Sequence, residues 1–300
     1  MYARMYVGGF TEGRVNMMVT REDPSALRWL IGNELRRARL RAGKTQAESG
    51  KAIGSSHAKI NYLEIGKTQQ TPDDVTALMR FYGSDVAEVD RLASLAGGAE
   101  TNTWWAPFGD ALPNWFKIFV GLEGLARGEF IYEPLAVPGQ LQTEDYARGT
   151  LRGHLYVSPL DAEQVVRARM ARQRVTDEQN PLDLQAVIEE QVLDRNVGGP
   201  EVMRAQLEHL LTLMERDNVS LQVMPLDVAV HDGLDGEFMI LTFQEAQSIA
   251  YIEYREGAVY VQNQDQLGAY TMAAERLRAA ALSKSDSIAA ITARLTKLAR

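Results

Sequence analysis

The stretch from Gln46 to Thr68 constrains this chain more than any other. It reads Gln-Ala-Glu-Ser-Gly-Lys-Ala-Ile-Gly-Ser-Ser-His-Ala-Lys-Ile-Asn-Tyr-Leu-Glu-Ile-Gly-Lys-Thr. Thr45 can accept an orphan amide at a helix start, and Glu48 three residues on completes a capping box, so a short helix is expected over Gln46 to Ile53. Gly54 can take the positive φ of a tight exit. A Ser hydroxyl then caps a second helix, Ser56 to Glu64, which stops at Gly66. Two short helices joined in this way form a helix-turn-helix, whose second member presents its first turn to a DNA major groove.

The flanks extend the helical pattern. Pro24 precedes Ala26 to Ala42, where Leu27, Leu30, Ile31, Leu35, Ala38 and Leu40 recur at helical spacing among arginines, ending at Gly43. Pro72 opens a helix from Asp73 to Tyr82 with Val75, Leu78, Met79 and Phe81 as its inner face, and Val86 to Ala96 forms another. Ile53, Ile60, Leu63, Leu78 and Leu92 are the expected core. Gly97-Gly98 and the polar run to Thr103 read as a connection. The expected division is a flexible tail over 1–23, an all-α repressor-like DNA-binding domain over 24–97, a linker over 98–103 and a second domain over 104–300.

Charge supports a nucleic-acid reader confined to one module. The chain carries −8 overall, yet between Leu27 and Gln70 nine basic residues face three acidic ones, net +6, which leaves −14 elsewhere. Phosphate neutralisation needs positive charge gathered on a small surface, and an acidic remainder stays off the polyanion. There is no cysteine, which removes disulfides, thiolate metal sites and thiol catalysis, and no apolar run approaches the roughly 18 residues of a spanning helix. A cytoplasmic protein is expected.

After Thr103 the composition changes. Trp104-Trp105-Ala-Pro-Phe108 and Trp115 to Val120 are aromatic, and the helix from Asn114 to Arg127 is apolar nearly all round, as a buried core helix is. Trp104 and Trp105 are also candidates for a ligand or partner site. Strand patterns run over Glu129 to Val137 as far as Pro134, Asp183 to Glu189, Val219 to Leu226, Gly236 to Phe243, Ser248 to Glu256 and Val259 to Val261. Helices are expected after Thr143 and over Leu160 to Val175, Glu201 to Arg216, Gln264 to Ala281 and Asp286 to Leu298. The fold class is therefore α+β overall, an all-α N-terminal domain followed by a mixed α+β domain with an antiparallel or mixed sheet. Arg167, Arg169, Arg172 and Arg174 are read as a solvated helix face, with Arg169 and Arg172 as candidates to receive a carboxylate or phosphate.

No phosphate-binding glycine loop, zinc-protease helix or nucleophile elbow is present. Asp227, His231, Asp232, Asp235 and Glu237 fall within eleven residues, and a turn rich in Asp and Gly accounts for them better than a cation site does. His154 and His209 receive no role. No enzyme, cofactor or metal is expected, an unfamiliar catalytic site in the second domain being the remaining alternative.

Thr45-Gln46, Ile53-Gly54-Ser55, Lys59-Ile60 and Leu63-Glu64-x-Gly66-Lys67-Thr68 resemble the Xre type of helix-turn-helix found in phage repressors and bacterial regulators. Ser49 and Gly50 depart from it, standing where that family usually has Leu and Ala. The resemblance implies that Gln46 donates to a DNA phosphate, helped by Lys44, Lys67 and the backbone near Thr68. It implies base reading by Ser56, His57, Lys59, Asn61 and Tyr62, with His57 and Lys59 suited to guanine acceptors and Asn61 to adenine. Tyr62 could equally pack against the first helix.

Downstream, Tyr132-Glu133-Pro134, Val137-Pro138-Gly139-Gln140-Leu141-Gln142-Thr143-x-x-Tyr146-Ala147-Arg148, Arg169-Met170-x-Arg172-Gln173 and Gly233-x-x-Gly236-x-Phe238 resemble the C-terminal domain joined to Xre domains in many actinobacterial regulators. That domain is likened to antitoxin-type regulators. The resemblance implies double-stranded DNA as partner, a homodimer, and a second domain that receives a small protein encoded nearby or a small-molecule effector. An antitoxin-like protein that chiefly sequesters such a partner is the alternative. Gln264 to Leu298 would supply dimer surfaces.

Overall fold

The computed structural model describes residues 24–97, 106–108, 112–152, 157–158, 161–244 and 246–298. The tail over 1–23, the linker over 98–103, Trp104, Trp105 and His154 lie outside the described residues.

Five helices come first: α1 Pro24–Arg41, α2 Gln46–Ala52, α3 His57–Glu64, α4 Pro72–Phe81 and α5 Val86–Gly97. The capping chemistry sets their starts. Thr45 and Glu48 close a reciprocal capping box on α2, the Ser56 hydroxyl accepts from the Lys59 amide, and Thr71 caps α4 with Pro72 in its first turn. Gly43, Gly54, Gly66 and Gly83 end helices with positive φ. Leu27, Ile31, Leu35, Ile60, Leu63, Val75, Leu78 and Leu92 bury together. Two residues expected inside are not: Leu40 is 58% and Phe81 36% exposed. Phe81 instead lies under Lys44, whose Nζ sits 5.4 Å from the ring centroid.

After α6, Asn114–Leu125, the chain builds a six-stranded sheet: β1 Gly128–Glu133, β2 Asp183–Glu189, β3 Val219–Met224, β4 Phe238–Thr242, β5 Ile249–Tyr254 and β6 Gly257–Val261. The order is β3-β2-β1-β4-β5-β6. The sheet is mixed: β1, β2 and β3 run parallel, and β4, β5 and β6 continue antiparallel. Between β1 and β2 lie α7, Glu144–Thr150, and α8, Ala162–Arg172; between β2 and β3 lies α9, Pro200–Met214. Parallel neighbours need such crossovers, whereas β4 to β6 need only short turns.

Alternation along the strands gives the sheet two buried faces. Ile131, Leu184, Ala186, Ile188, Leu221 and Val223 face α9 and α11, Lys284–Leu298. Phe130, Tyr132, Val187, Phe238, Ile240 and Val261 face α10, Gln264–Ala280. The protein is thus α+β, a helical N-terminal region followed by a mixed sheet between helices. Helix α1 belongs to both regions. Leu27, Ile31 and Leu35 enter the N-terminal core, while Ala26 and Leu30 pack with Phe119 and Leu122 of α6 and with Leu241, Ile249 and Tyr251 of the sheet.

Candidate nucleic-acid interface

Helix α3 divides cleanly. Ile60, Leu63 and Glu64 are buried, whereas His57, Ala58, Tyr62 and Ile65 are exposed and Lys59 and Asn61 half-exposed. The outward stripe is therefore Ala58, Asn61, Tyr62 and Ile65, spaced as one helical face, with His57 on the first turn. Ala58 and Ile65 escaped the sequence reading because they carry no polar group, although the i, i+3, i+4, i+7 spacing around Asn61 and Tyr62 points to them. Tyr62 is 39% exposed, and Lys67 lies over its ring at 4.3 Å. Lys59 reaches Asp74 of α4 at 2.8 Å, an ion pair with a side chain 41% exposed. Ser56 uses its oxygen as the cap of α3.

Beneath this face sits a buried polar hub. Glu64, with a side chain 2% exposed, accepts two bonds from the Arg39 guanidinium, at 2.5 and 3.0 Å, and one from Gln46 Nε2 at 2.9 Å. Arg39 also donates to the Lys44 carbonyl at 2.8 Å. One carboxylate therefore ties α1, α2, α3 and the loop before α2 together. Its hydrogen bond raises the Arg39 pKa. The Gln46 amide also lies 3.4 Å from Asn61 Oδ1, so the side chain expected on a phosphate rests on α3.

Close backbone approaches explain the small residues. A Cβ at Gly50 would stand 2.8 Å from the Ser55 carbonyl oxygen and 2.9 Å from the Ser56 carbonyl carbon. Gly50 thus lets α2 lie directly on the turn into α3. Ser49 beside it is buried and donates to the Thr45 carbonyl at 2.8 Å. At Gly66, φ is +66° and a Cβ would come within 2.7 Å of the Trp29 amide nitrogen, so the end of α3 rests on the backbone of α1. Gln70 straps the same junction, donating to the carbonyls of Arg28 and Leu63 at 2.9 and 2.7 Å.

Family models match two parts of the chain. One, described as a helix-turn-helix domain, matches residues 30–92. The other, described as a domain of unknown function (DUF5753), matches residues 116–293, more than half the length. The chain belongs to the DUF5753 family. No curated protein and no solved structure matches it. A helix-turn-helix domain joined to a DUF5753 domain makes this a DNA-binding regulator. No helix among the described residues is long and apolar enough to cross a membrane.

In the DUF5753 domain, of the four arginines expected on a solvated face only Arg167 is exposed; Arg169 and Arg172 of α8, and Arg174 just beyond it, are turned inward. Arg174 is 1% exposed; its guanidinium donates to the carbonyls of Glu123, Gly124 and Ala126 at 2.7 to 3.0 Å and so closes the C-terminus of α6. Arg172 makes a two-point bond to Glu123, at 2.8 and 2.9 Å, and lies over the rings of Phe116 and Phe119. Arg169 donates to Gln142 Oε1 and Thr150 Oγ1, both at 3.0 Å, and burial holds its pKa down to about 10. Arginines at every second or third position look like a solvent-exposed stripe in a sequence. Only partners remote in the chain, the Glu123 carboxylate and the carbonyls at the end of α6 for Arg172 and Arg174 and Gln142 and Thr150 for Arg169, reveal these as internal ties.

Opposite them, Glu133, Glu237 and Glu253 occupy one row across β1, β4 and β5, since the register pairs Tyr132 with Phe238 and Met239 with Tyr251. Burial followed by the charges of Glu133 and Glu253 pushes Glu237 up to about 7. Burial also raises Glu129 well above the ordinary carboxylate value; both of its oxygens lack a hydrogen-bond partner among the described residues. The Asp227 to Glu237 segment is a turn: residues Asp232–Asp235 form a single 3-10 turn, and His231 sits inside it 3.4 Å from Glu189. Among the described residues, no group of three acidic or histidine side chains is placed to hold a metal.

Proposed function

We propose that the chain is a sequence-specific, Xre-type transcription regulator acting in the cytoplasm as a homodimer, without catalytic activity. It divides into a DNA reader over 24–97 and an input domain over 104–300 that answers to a small protein or ligand. The observation that carries the reading is the outward face of α3. It is polar or small throughout its first two turns, with Lys67 over Tyr62 at its end, while its inner face is locked by Glu64 and Ile60. His57, Lys59 and Asn61 read bases from it, Ser56 and Tyr62 line the contact, and Ala58 offers a methyl group to a thymine methyl. Lys44, Lys67 and the Thr68 backbone set position on phosphates. Gln46 joins them with the amide hydrogen that lies near Asn61, keeping its other one on Glu64.

Genome-wide mapping of bound DNA identifies the site; titration on that site and on random DNA then tests the roles. His57→Ala and Lys59→Ala are expected to weaken specific binding by about 1 to 3 kcal/mol each and random binding little. Gln46→Ala and Lys67→Ala should weaken both alike. Equal losses on both DNAs for all four variants would refute the assignment. Two half-sites about one helical turn apart are expected for a dimer, and light scattering that finds only one chain per bound DNA would remove the homodimer.

A further inference from the structure

A groove of about 680 Å³ opens between α10 and strands β4 to β6, inside the 300 to 1,000 Å³ range typical of small-molecule pockets. Its walls follow from two periodicities. Phe238, Ile252, Val259 and Val261 fall on one face of the three strands, with Ile252 and Val259 directly paired. On α10, Gln266, Ala269, Tyr270 and Ala273 recur at i, i+3, i+4, i+7 and so form one stripe facing them. The two alanines are too short to fill the space, and Tyr270 packs at 5.2 Å on Phe238, giving the groove an aromatic floor.

Its polar end is one-signed. Asp232 and Asp235 come from the 3-10 turn at the rim, Glu237 borders the groove just before β4 with its carboxyl turned to Glu133 on the other face, and no lining residue is basic. Arg276 meets Asp232 at 2.8 Å from a position 67% exposed, outside the lining, and no cation pairs with Asp235 among the described residues. An apolar slot closed by carboxylates selects a cation with an apolar body and rejects its anionic analogue, because an anion there would be desolvated beside like charge.

We propose that this groove binds a small organic amine with a flat apolar body. The proposal deepens the reading of the C-terminal domain as an input domain and rests on it for its biological meaning, while the binding itself stands alone. Position suits a regulatory site: Ile252 and Val259 line the groove on one face of β5 and β6, and on the other face Tyr260 packs at 5.0 Å on Trp29 of α1. Trp29 is the residue whose backbone supports Gly66 at the end of α3.

Calorimetric titration of the full chain with tryptamine, indole-3-ethanol and indole-3-propionate tests it, since the three differ only in the group that meets the carboxylates. Tryptamine is expected to bind at least about tenfold more tightly than the alcohol, and the acid not at all up to about 10 mM. Asp235→Asn should weaken tryptamine several-fold and leave the alcohol unchanged. Ala269→Trp and, independently, Ala273→Leu should block amine and alcohol together in chains whose thermal unfolding stays cooperative. Failure of tryptamine to bind, equal affinity for amine and alcohol, or binding that survives both blocking variants overturns the proposal. Tryptamine binding that leaves DNA affinity unchanged supports the groove and overturns its regulatory role; intact DNA binding without tryptamine binding removes the groove alone.

Discussion

Glu64 shows how one side chain can carry a local fold. Its carboxylate holds a buried guanidinium and an amide from two other helices, so truncation leaves the Arg39 charge without its partner in a site where that side chain is 10% exposed. Glu64→Ala is expected to cost about 3 to 5 kcal/mol in urea unfolding, and the pair Arg39→Met with Glu64→Leu to recover most of it, because removing both leaves no buried charge without its counter-ion. A loss below about 1 kcal/mol for the single change would show that the hub contributes little. Gly50 sets two effects against each other. Alanine would gain about 1 kcal/mol of helix propensity, yet its Cβ would meet backbone at 2.8 Å, and such overpacking costs about 1 to 3 kcal/mol. The clash wins, so Gly50→Ala should lower stability.

At the scale of elements, the helices of the reader and the strands were legible because their signals are local. Caps at Thr45, Ser56, Thr71 and Thr143 mark helix starts, and period-two runs such as Asp183 to Glu189 coincide with strands. What was not legible is pairing at a distance. Arg174 looks like a surface residue until α6, about fifty positions earlier, brings its terminal carbonyls to it. Arg174→Leu should therefore lower the melting temperature sharply, as loss of a cap with three carbonyl bonds, while Arg167→Leu on the exposed side of α8 should shift it little. Similar shifts for both would argue against the cap. In α3 the outward stripe was legible only where it carried polar groups. Ala58→Asp is expected to abolish specific DNA binding by placing a negative charge at its centre, with unfolding unchanged because the residue is exposed; retained binding would show that this face does not meet DNA.

For the whole molecule, acid should stabilise. Glu237 stands at about 7 in the fold against an ordinary 4.5, and Glu129, Glu133 and Glu253 are raised in the same direction, each first by burial. A carboxyl raised by folding supports the native state fully while protonated, below its unfolded value, and that support is lost as pH climbs through the native value. Melting temperature should accordingly fall between pH 5 and pH 8, and Glu237→Gln should flatten the decline by an amount on the order of 1 kcal/mol, its exposure to solvent limiting the effect. A profile that rises over that interval would contradict this reading of the carboxylate row.

Helix α1 has one more consequence, for how such regulators diversify. Its sequence satisfies two cores at once: Leu27, Ile31 and Leu35 serve the reader, and Ala26, Trp29 and Leu30 serve the sheet behind it. A recombination joint placed in the connection after α5 would hand a new C-terminal half the wrong Trp29 surface, and would strip the old half of its lid. Grafting a foreign reader onto this sheet thus requires carrying over one face of a helix rather than a stretch of chain.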